Sequence, residues 1–427
     1  MTGNLASSAP AWLVPGVRTP FTRVDGGLRA LDAVALSVPV AKAMGAQLTA
    51  GARPDLLVWG TVASNLGWSN IAREVLVDAG LDGHMPAFST VLACSTSMVA
   101  AFEAAGMLGS PHQLALVGGV ESMSRVQIAL TQGLSDWIRR LSQARTVGER
   151  IDRLLEIRFA DVKLHVPGVK NRATGRSMGE HCEEMARAWK IPREAQDRLA
   201  LASHERAVKA LAAGFFDDLV IAAGEASRDG IPRADSTYEK LAKLKPAFDR
   251  EAGTITAGNA SPLTDGAAAL WVATDAGLER LPAGKPRARL VDWEIAAVDI
   301  FKEGLLMAPA YAIPRLLARH GLALADVDLW EIHEAFAAQV LCNVAALEDE
   351  AFVREKAGVS ASLGKFPWER FNPNGGSVAI GHPFGATGAR ILSQAVKELA
   401  AMGPGKRAVV SICADGGLGT VALLESA

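Results

Sequence analysis

A disulfide framework, a metal ribbon and a membrane span all lack the residues they would need in this sequence. The 427 residues include four cysteines, Cys94, Cys182, Cys342 and Cys413, scattered without any Cys-x-x-Cys spacing. That argues against a zinc site or a disulfide scaffold and predicts reduced thiols. No apolar run reaches the roughly eighteen residues that would suggest a spanning helix. The formal net charge of -2 gives no global electrostatic case for nucleic acid. The N-terminal stretch MTGNLASSAPA has neither the Arg-rich bias of a transit peptide nor the apolar core of a signal peptide, so a cytoplasmic home is expected.

What the chain does have is apolar content, 49% of its residues, enough to bury a large core in two or three domains. Strand-like runs (DLLVWGTV, PAFSTVLA, LALVGGV) alternate with helical stretches such as SNIAREVLVDAG, which predicts an α/β domain with a largely parallel sheet. The pattern returns in the last third. DVDLWEIHEAF echoes DLLVWGTV, with Trp330 matching Trp59; the helix after GHPFGATG echoes the helix after Cys94; AVVSICADGGLG echoes LALVGGVES. Two copies of one α/β unit are expected.

Between them lies a charged, mostly helical segment from about Ser124 to Lys245. Its first part is basic: Arg125, Arg139, Arg140, Arg145, Arg150, Arg153, Arg158, Lys163, Lys170, Arg172 and Arg176 face only Asp136, Glu149, Asp152, Glu156 and Asp161. Leu134, Trp137, Ile138 and Leu141 share one helical face opposite Asp136, Arg139 and Arg140. Such a face suits packing on the chain's own core, and also a membrane surface or a partner protein.

Cys182 and Cys342 fall inside helical patterns and read as small buried hydrophobes. Cys94 differs, because it ends an apolar run and begins the small-residue helix STSMVAAFEAAGML. Unpaired N–H groups and the dipole of a helix N-terminus favour a thiolate there. Three further segments share its character. In GHPFGATGAR, Pro383 biases His382 toward extended backbone and the glycines allow close approach; no Gly-Lys-Ser/Thr follows, so a phosphate loop is a weak reading. In WEIHEAFAAQ, His333 follows an apolar strand end. In SICADGGLGT, Cys413 follows a strand and precedes a glycine turn. Together Cys94, His333, His382 and Cys413 are expected at or just beyond the C-terminal ends of strands, where open α/β sheets form their sites.

This constellation resembles the thiolase family, through VRTPF, the Cys94 loop, GGVESMS, RSMGEHCEEMA, GTITAGNASPLTDGAAA, HEAFA, NPNGGSVAIGHPFGATGAR and CADGGLG, in order along nearly the whole chain. The resemblance implies a thiolase fold: two duplicated α/β halves whose mixed central sheets sandwich helices, plus an inserted, mostly helical loop domain. The expected organisation is 1–123 and 246–283 for the N-terminal half, 124–245 for the insertion and 284–427 for the C-terminal half. The HEAF form, where many thiolases have Asn-Glu-Ala-Phe, together with the basic insertion resembles the thiolase subunit of trifunctional fatty-acid oxidation complexes.

The implied reaction is thiolytic cleavage of a 3-ketoacyl-CoA in fatty-acid β-oxidation. By the resemblance Cys94 is the nucleophile, His382 the base for Cys94 and for coenzyme A, and Cys413 the acid or base at the acetyl-CoA carbon. His333 holds a water in the enolate oxyanion hole, and the backbone N–H of Asp415 joins that of Cys94 in a second hole. Ser261 and Met178 are the implied substrate contacts. Asp415 departs from the family's Gly or Ala, and its carboxylate would oppose a developing anion unless it points away. No permanent cofactor and no metal are expected; coenzyme A is a substrate. The implied partners are a second copy, as a homodimer or dimer of dimers, a hydratase/dehydrogenase subunit and a peripheral membrane contact, with the Trp137 helix as candidate surface.

A decarboxylating ketoacyl synthase also uses one cysteine with two histidines, but the second cysteine and GHPFGATG favour thiolase. A non-catalytic acyl-CoA or lipid carrier is opposed by retention of both cysteines and both histidines. Condensation of two acetyl-CoA molecules uses the same residues in reverse, so sequence leaves direction open.

Overall fold

The computed structural model describes residues 10–63, 65–158, 162–165 and 168–427, with the backbone of a strand at Thr2–Asn4. Met1 and residues 5–9 of the N-terminal stretch, and Asp161 of the basic segment, lie outside the described residues. The chain forms two compact units, Val126–Lys170 and the remainder, Met1–Arg125 with Asn171–Ala427.

The larger unit is built on one eleven-stranded sheet. Its N-terminal half runs Ala87–Ser89, Leu56–Thr61, Leu114–Glu121, Thr264–Ala273, Trp12–Arg18. The C-terminal half repeats the last four places as Leu329–Ile332, Arg407–Ala414, Leu418–Ser426, Ala288–Ala297. The halves meet where Ala288 and Arg289 pair with Leu13 and Trp12. Trp59 and Trp330, matched in sequence, are both fully buried on corresponding strands.

The sheet is mixed, as the family resemblance implies, and not largely parallel as alternation alone predicts. Only the outer pairings of each half are parallel, and those are the ones bridged by helices. The inner strands are antiparallel. Arg407–Ala414 turns straight back into Leu418–Ser426, with Ala414 opposite Leu418. In the N-terminal half the equivalent strands are also antiparallel neighbours, with Glu121 opposite Gly266. Residues 122–263 therefore leave and return at a hairpin tip that the other half closes with Asp415, Gly416 and Gly417.

Helices Thr96–Met107 and Thr387–Met402 occupy equivalent places in the two halves and pack on each other. Their approach requires Gly388, where a Cβ would lie 2.2 Å from the Met98 nitrogen. Ser97 Oγ accepts the Ala389 N–H at 2.8 Å across the same seam. These helices are almost wholly buried and rich in alanine, so small side chains rather than interlocking large ones set the spacing.

The smaller unit contains helices Gln132–Gln143 and Val147–Glu156 and the two-stranded pairing of Ala129–Leu130 with Leu164–His165. Thr146 and Glu149 form a reciprocal capping box at the start of the second helix. Trp137 donates its indole N–H to the Arg153 carbonyl at 2.7 Å and is half-buried within the unit. Ile138, Val147, Ile151, Leu154 and Leu155 remain exposed, Leu155 to 78%. The last four form one stripe at helical spacing. Among the described residues no helix is long and apolar enough to cross a membrane.

Candidate active site

Cys94 does not follow directly on a strand as expected. The strand stops at Ser89, because the backbone beyond it is diverted into a turn. The Leu92 N–H is taken by Thr96 Oγ at 2.9 Å, the Thr96 hydroxyl donates to the Ala93 carbonyl at 2.8 Å, and Ser95 N–H returns to the Leu92 carbonyl at 2.9 Å. Ala93 is held at φ +44°, left-handed backbone that costs a non-glycine residue of order 1 kcal/mol or more. The turn delivers Cys94 at the entry to helix Thr96–Met107.

His382 also departs from expectation: it follows the short helix Ser377–Ile380 rather than a strand. It is held in place by a backbone hydrogen bond to Thr264 Oγ at 2.9 Å. Its Nε2 lies 3.1 Å from Cys94 Sγ and its Nδ1 lies 2.7 Å from the Thr387 hydroxyl. That hydroxyl also reaches the Pro383 carbonyl at 3.2 Å, an obligatory acceptor. With its one proton donated there, Thr387 accepts from Nδ1–H, and Nε2 turns a lone pair toward the thiol.

The loop carrying His382 is tied to the N-terminal half by the buried carboxylate of Glu121. It accepts the N–H groups of Val62, Ala63 and Gly385 at 3.1, 2.9 and 3.2 Å. Gly385 must be glycine, since a Cβ would meet the Val120 oxygen at 2.5 Å.

His333 follows strand Leu329–Ile332, as expected, and is fully buried. Its ring centroid lies 4.1 Å from that of His382. Its Nδ1 is 2.8 Å from Ser377 Oγ, while its Nε2 has no hydrogen-bond partner among the described residues. Glu334 holds the neighbouring segment by accepting from Ser203 Oγ, Asn372 Nδ2 and the Val378 N–H.

Cys413 is the penultimate residue of Arg407–Ala414 and is 1% exposed. Met178, at the first position of helix Met178–Ala188, packs on the same apolar cluster as Cys413 and Phe336. Ser261 donates its hydroxyl to the Ala335 carbonyl of HEAF at 2.9 Å. Cys182 and Cys342 are buried on helices, as their patterns predict.

The electrostatics correct one expectation. Burial, and then the Asp415 charge, push the Cys94 thiol up to about 12, against the lowering expected at a helix terminus. The backbone N–H groups of Cys94 and Asp415 favour the thiolate, the expected direction, but desolvation outweighs them. Burial, then the Arg390 charge, lowers His382 to about 3. Burial, then His382 and Arg390, lowers His333 well below the usual imidazole range. Burial and Cys94 push Cys413 well above the usual thiol range. The resting pair is a neutral thiol hydrogen-bonded to a neutral imidazole.

Cys94, His333 and His382 each bring a ligand atom within 4.8 Å of the others, a convergence that would also suit a borderline metal ion. Residues distant in sequence supply it, so the lack of a Cys-x-x-Cys spacing could not speak to it.

The Asp415 carboxylate is turned into a local cage. Asn171 Nδ2 donates to its Oδ1 at 2.8 Å and the Gly416 N–H at 2.6 Å. Asn171, Glu121, Ser377, Thr387 and Arg390 are not among the site residues expected from sequence. Ser377, Thr387 and Arg390 lie inside NPNGGSVAIGHPFGATGAR and were within reach; Asn171 carries no motif signal.

Residues 11–276 match the family model "Thiolase, N-terminal domain" and residues 284–426 match "Thiolase, C-terminal domain". A 3-ketoacyl-CoA thiolase of Yersinia enterocolitica is 37% identical over 423 residues, covering 97% of this chain and 96% of the relative. One from Yersinia pestis is 37% identical over 421 residues, with the same coverage. The crystal structure of the Bacillus anthracis acetyl-CoA acetyltransferase is similar with a TM-score of 0.77 at 32% identity, covering 98% of this chain and 99% of that one. The Acat5 thiolase from Ascaris suum in complex with coenzyme A gives a TM-score of 0.80 at 28% identity, covering 98% and 100%.

Proposed function

Since this chain belongs to the thiolase family, we propose that it is an acyltransferase that cleaves 3-ketoacyl-CoA with coenzyme A, giving acetyl-CoA and a shortened acyl-CoA. The observation that carries this reading is the 3.1 Å contact between Cys94 Sγ and a His382 Nε2 whose lone pair is turned toward it. The thiol proton passes to Nε2 as the sulfur attacks the 3-keto carbon. Proton transfer in step with attack suits two groups that are both neutral at rest.

The tetrahedral oxyanion accepts the backbone N–H groups of Cys94 and Asp415, whose direction at the sulfur supports that role. The C2–C3 bond then breaks, leaving the acyl group on Cys94 and the electron pair as an acetyl-CoA enolate. The Cys413 thiol, kept protonated by burial, gives its proton to C2. The enolate oxygen is served by the His382 imidazolium and by a water on the unpartnered Nε2 of His333. Once the imidazolium proton has been returned to the Cys413 thiolate, a second molecule of coenzyme A loses its thiol proton to the neutral His382 and displaces the acyl group, and that proton goes back to the departing Cys94 thiolate. Ser261, beside HEAF, and Met178, against the Cys413 cluster, are the substrate contacts in this reading.

A role in fatty-acid β-oxidation, with a hydratase/dehydrogenase subunit and a membrane nearby, follows from the HEAF form and the basic insertion. The exposed stripe Val147, Ile151, Leu154 and Leu155 supports a docking role for the Val126–Lys170 unit. The domain limits 1–123, 124–245, 246–283 and 284–427, a homo-oligomeric state and a cytoplasmic location complete the proposal. The test is CoA-dependent loss of 3-ketoacyl-CoA across short to long chains with Cys94→Ala as control. Loss abolished by the substitution supports the reading, and no cleavage at any chain length overturns it.

A further inference from the structure

We propose that Ser377 and Arg390 are positioning residues that fix the tautomer of His333, so that it turns an N–H, rather than a lone pair, toward the substrate oxygen. The inference deepens the thiolase reading and rests on it for its catalytic meaning; the tautomer itself does not.

Arg390 is buried, and a guanidinium can only donate. Its Nη2 lies 2.7 Å from Ser377 Oγ, so the serine oxygen is an acceptor on that side. Ser377 is 0% exposed and has one proton to give. Its remaining partner among the described residues is His333 Nδ1 at 2.8 Å. Were Nδ1 to carry the imidazole proton, Ser377 would accept twice and its own O–H would be buried with no acceptor, at a cost of about 1–3 kcal/mol. Satisfying both the serine hydroxyl and Nδ1 therefore makes Nδ1 an acceptor and moves the single proton of the neutral ring to Nε2.

Nε2 is also the His333 atom with no partner among the described residues. An unsatisfied N–H in a closed pocket is a donor awaiting an oxygen, and it is what a developing enolate or its bridging water needs. His382, with its ring centroid 4.1 Å away, carries the opposite tautomer, because Thr387 draws its proton to Nδ1. Adjacent imidazoles thus present one acceptor and one donor, and hydroxyl residues with opposite proton directions behind them make the difference.

The first test reads the tautomer directly from the ¹⁵N resonances of the His333 ring in the unsubstituted protein, assigned by their loss in His333→Asn. Protonation at Nε2 is expected, and protonation at Nδ1 overturns the proposal even if cleavage activity is normal. The second uses Ser377→Ala. Solvent exchange at C2 of acetyl-CoA is expected to fall roughly tenfold to hundredfold, while alkylation of Cys94 by iodoacetamide stays at the parent rate. Ser377→Thr, which keeps the hydroxyl, is expected to restore exchange. If exchange is unaffected by Ser377→Ala, or if alkylation and exchange fall together and Ser377→Thr rescues neither, the positioning role is refuted. Absence of exchange and cleavage in the unsubstituted protein would instead sink the thiolase reading and leave the ¹⁵N result to decide the tautomer.

Discussion

Asn171 Nδ2 holds Asp415 Oδ1 at 2.8 Å. Asn171 Oδ1 is itself fixed by the N–H groups of Ala173 and Thr174 at 3.0 and 3.2 Å, so the amide cannot flip without losing them. The charge of Asp415 already opposes ionisation of Cys94. The cage keeps the carboxylate off the N–H that serves the oxyanion. Asn171→Ala should slow formation of the acyl-enzyme about tenfold, equivalent to ~1.4 kcal/mol. Asp415→Gly in the same chain should recover it, and single-turnover acylation rates for the full mutant cycle provide the check. Additive effects of the two changes would contradict the cage.

A thiol pushed up to about 12 beside an imidazole lowered to about 3 is not a thiolate–imidazolium pair. Alkylation of Cys94 by iodoacetamide should therefore climb with pH from about 6 to about 9 with no plateau marking a depressed thiol. Asp415→Asn should lower that pKa by removing the second cause of its elevation. His382→Ala should cut cleavage roughly a hundred- to ten-thousandfold, and a plateau near neutrality would overturn the neutral-pair description.

His204 is buried, and its Nδ1 accepts the Arg233 N–H at 3.3 Å. Burial, then Arg233 and Arg23, lower it from 6.5 to about 4. An unfolded chain takes up a proton below about 6.5, while the folded chain stays neutral down to about 4, so the unfolded state gains as pH falls through this window. The contribution at stake is roughly 3 kcal/mol, intact above the window and lost across it. Glu398, raised to about 7 by burial, acts with the opposite sign over part of the same range. His204→Gln should weaken the fall in urea midpoint on acidification, and an unchanged fall would assign acid sensitivity elsewhere.

Arg139 is exposed, and the neighbouring Ile138 is exposed and apolar. Reversing the charge of Arg139 and Arg140, or replacing Leu155 with Glu, should weaken sedimentation with anionic vesicles or capture of a hydratase/dehydrogenase subunit while soluble short-chain thiolysis is kept. Unchanged binding in all of these variants would reduce the Val126–Lys170 unit to a structural element.

Cys94, His333, His382 and Cys413 stand out in the sequence as thiols and imidazoles, two of them, His382 and Cys413, in glycine-rich motifs. Ser377 and Asn171 do not. A hydroxyl or an amide has many local uses, and theirs arise only across 44 and 244 residues of chain. The repeat was legible through Trp59 and Trp330. Strand direction was misread because alternating helix and strand suggests crossovers, whereas ADGGLG carries a hairpin turn signal that joins antiparallel neighbours. The raised thiol could not be read from a helix terminus, because the opposing desolvation depends on packing from the other half.

The close seam at Gly388 and Met98 gives the molecule a built-in order of events. Cys94 comes from one half, and His333, His382 and Cys413 come from the other. Neither half holds all four groups of the proposed mechanism, so the proposed site exists only at the junction. During refolding, helices and strands can return within each half while the nucleophile still lacks its base. With that set, turnover would begin only when the two alanine-lined helices seat against each other, and regain of cleavage activity would time the last long-range step of folding.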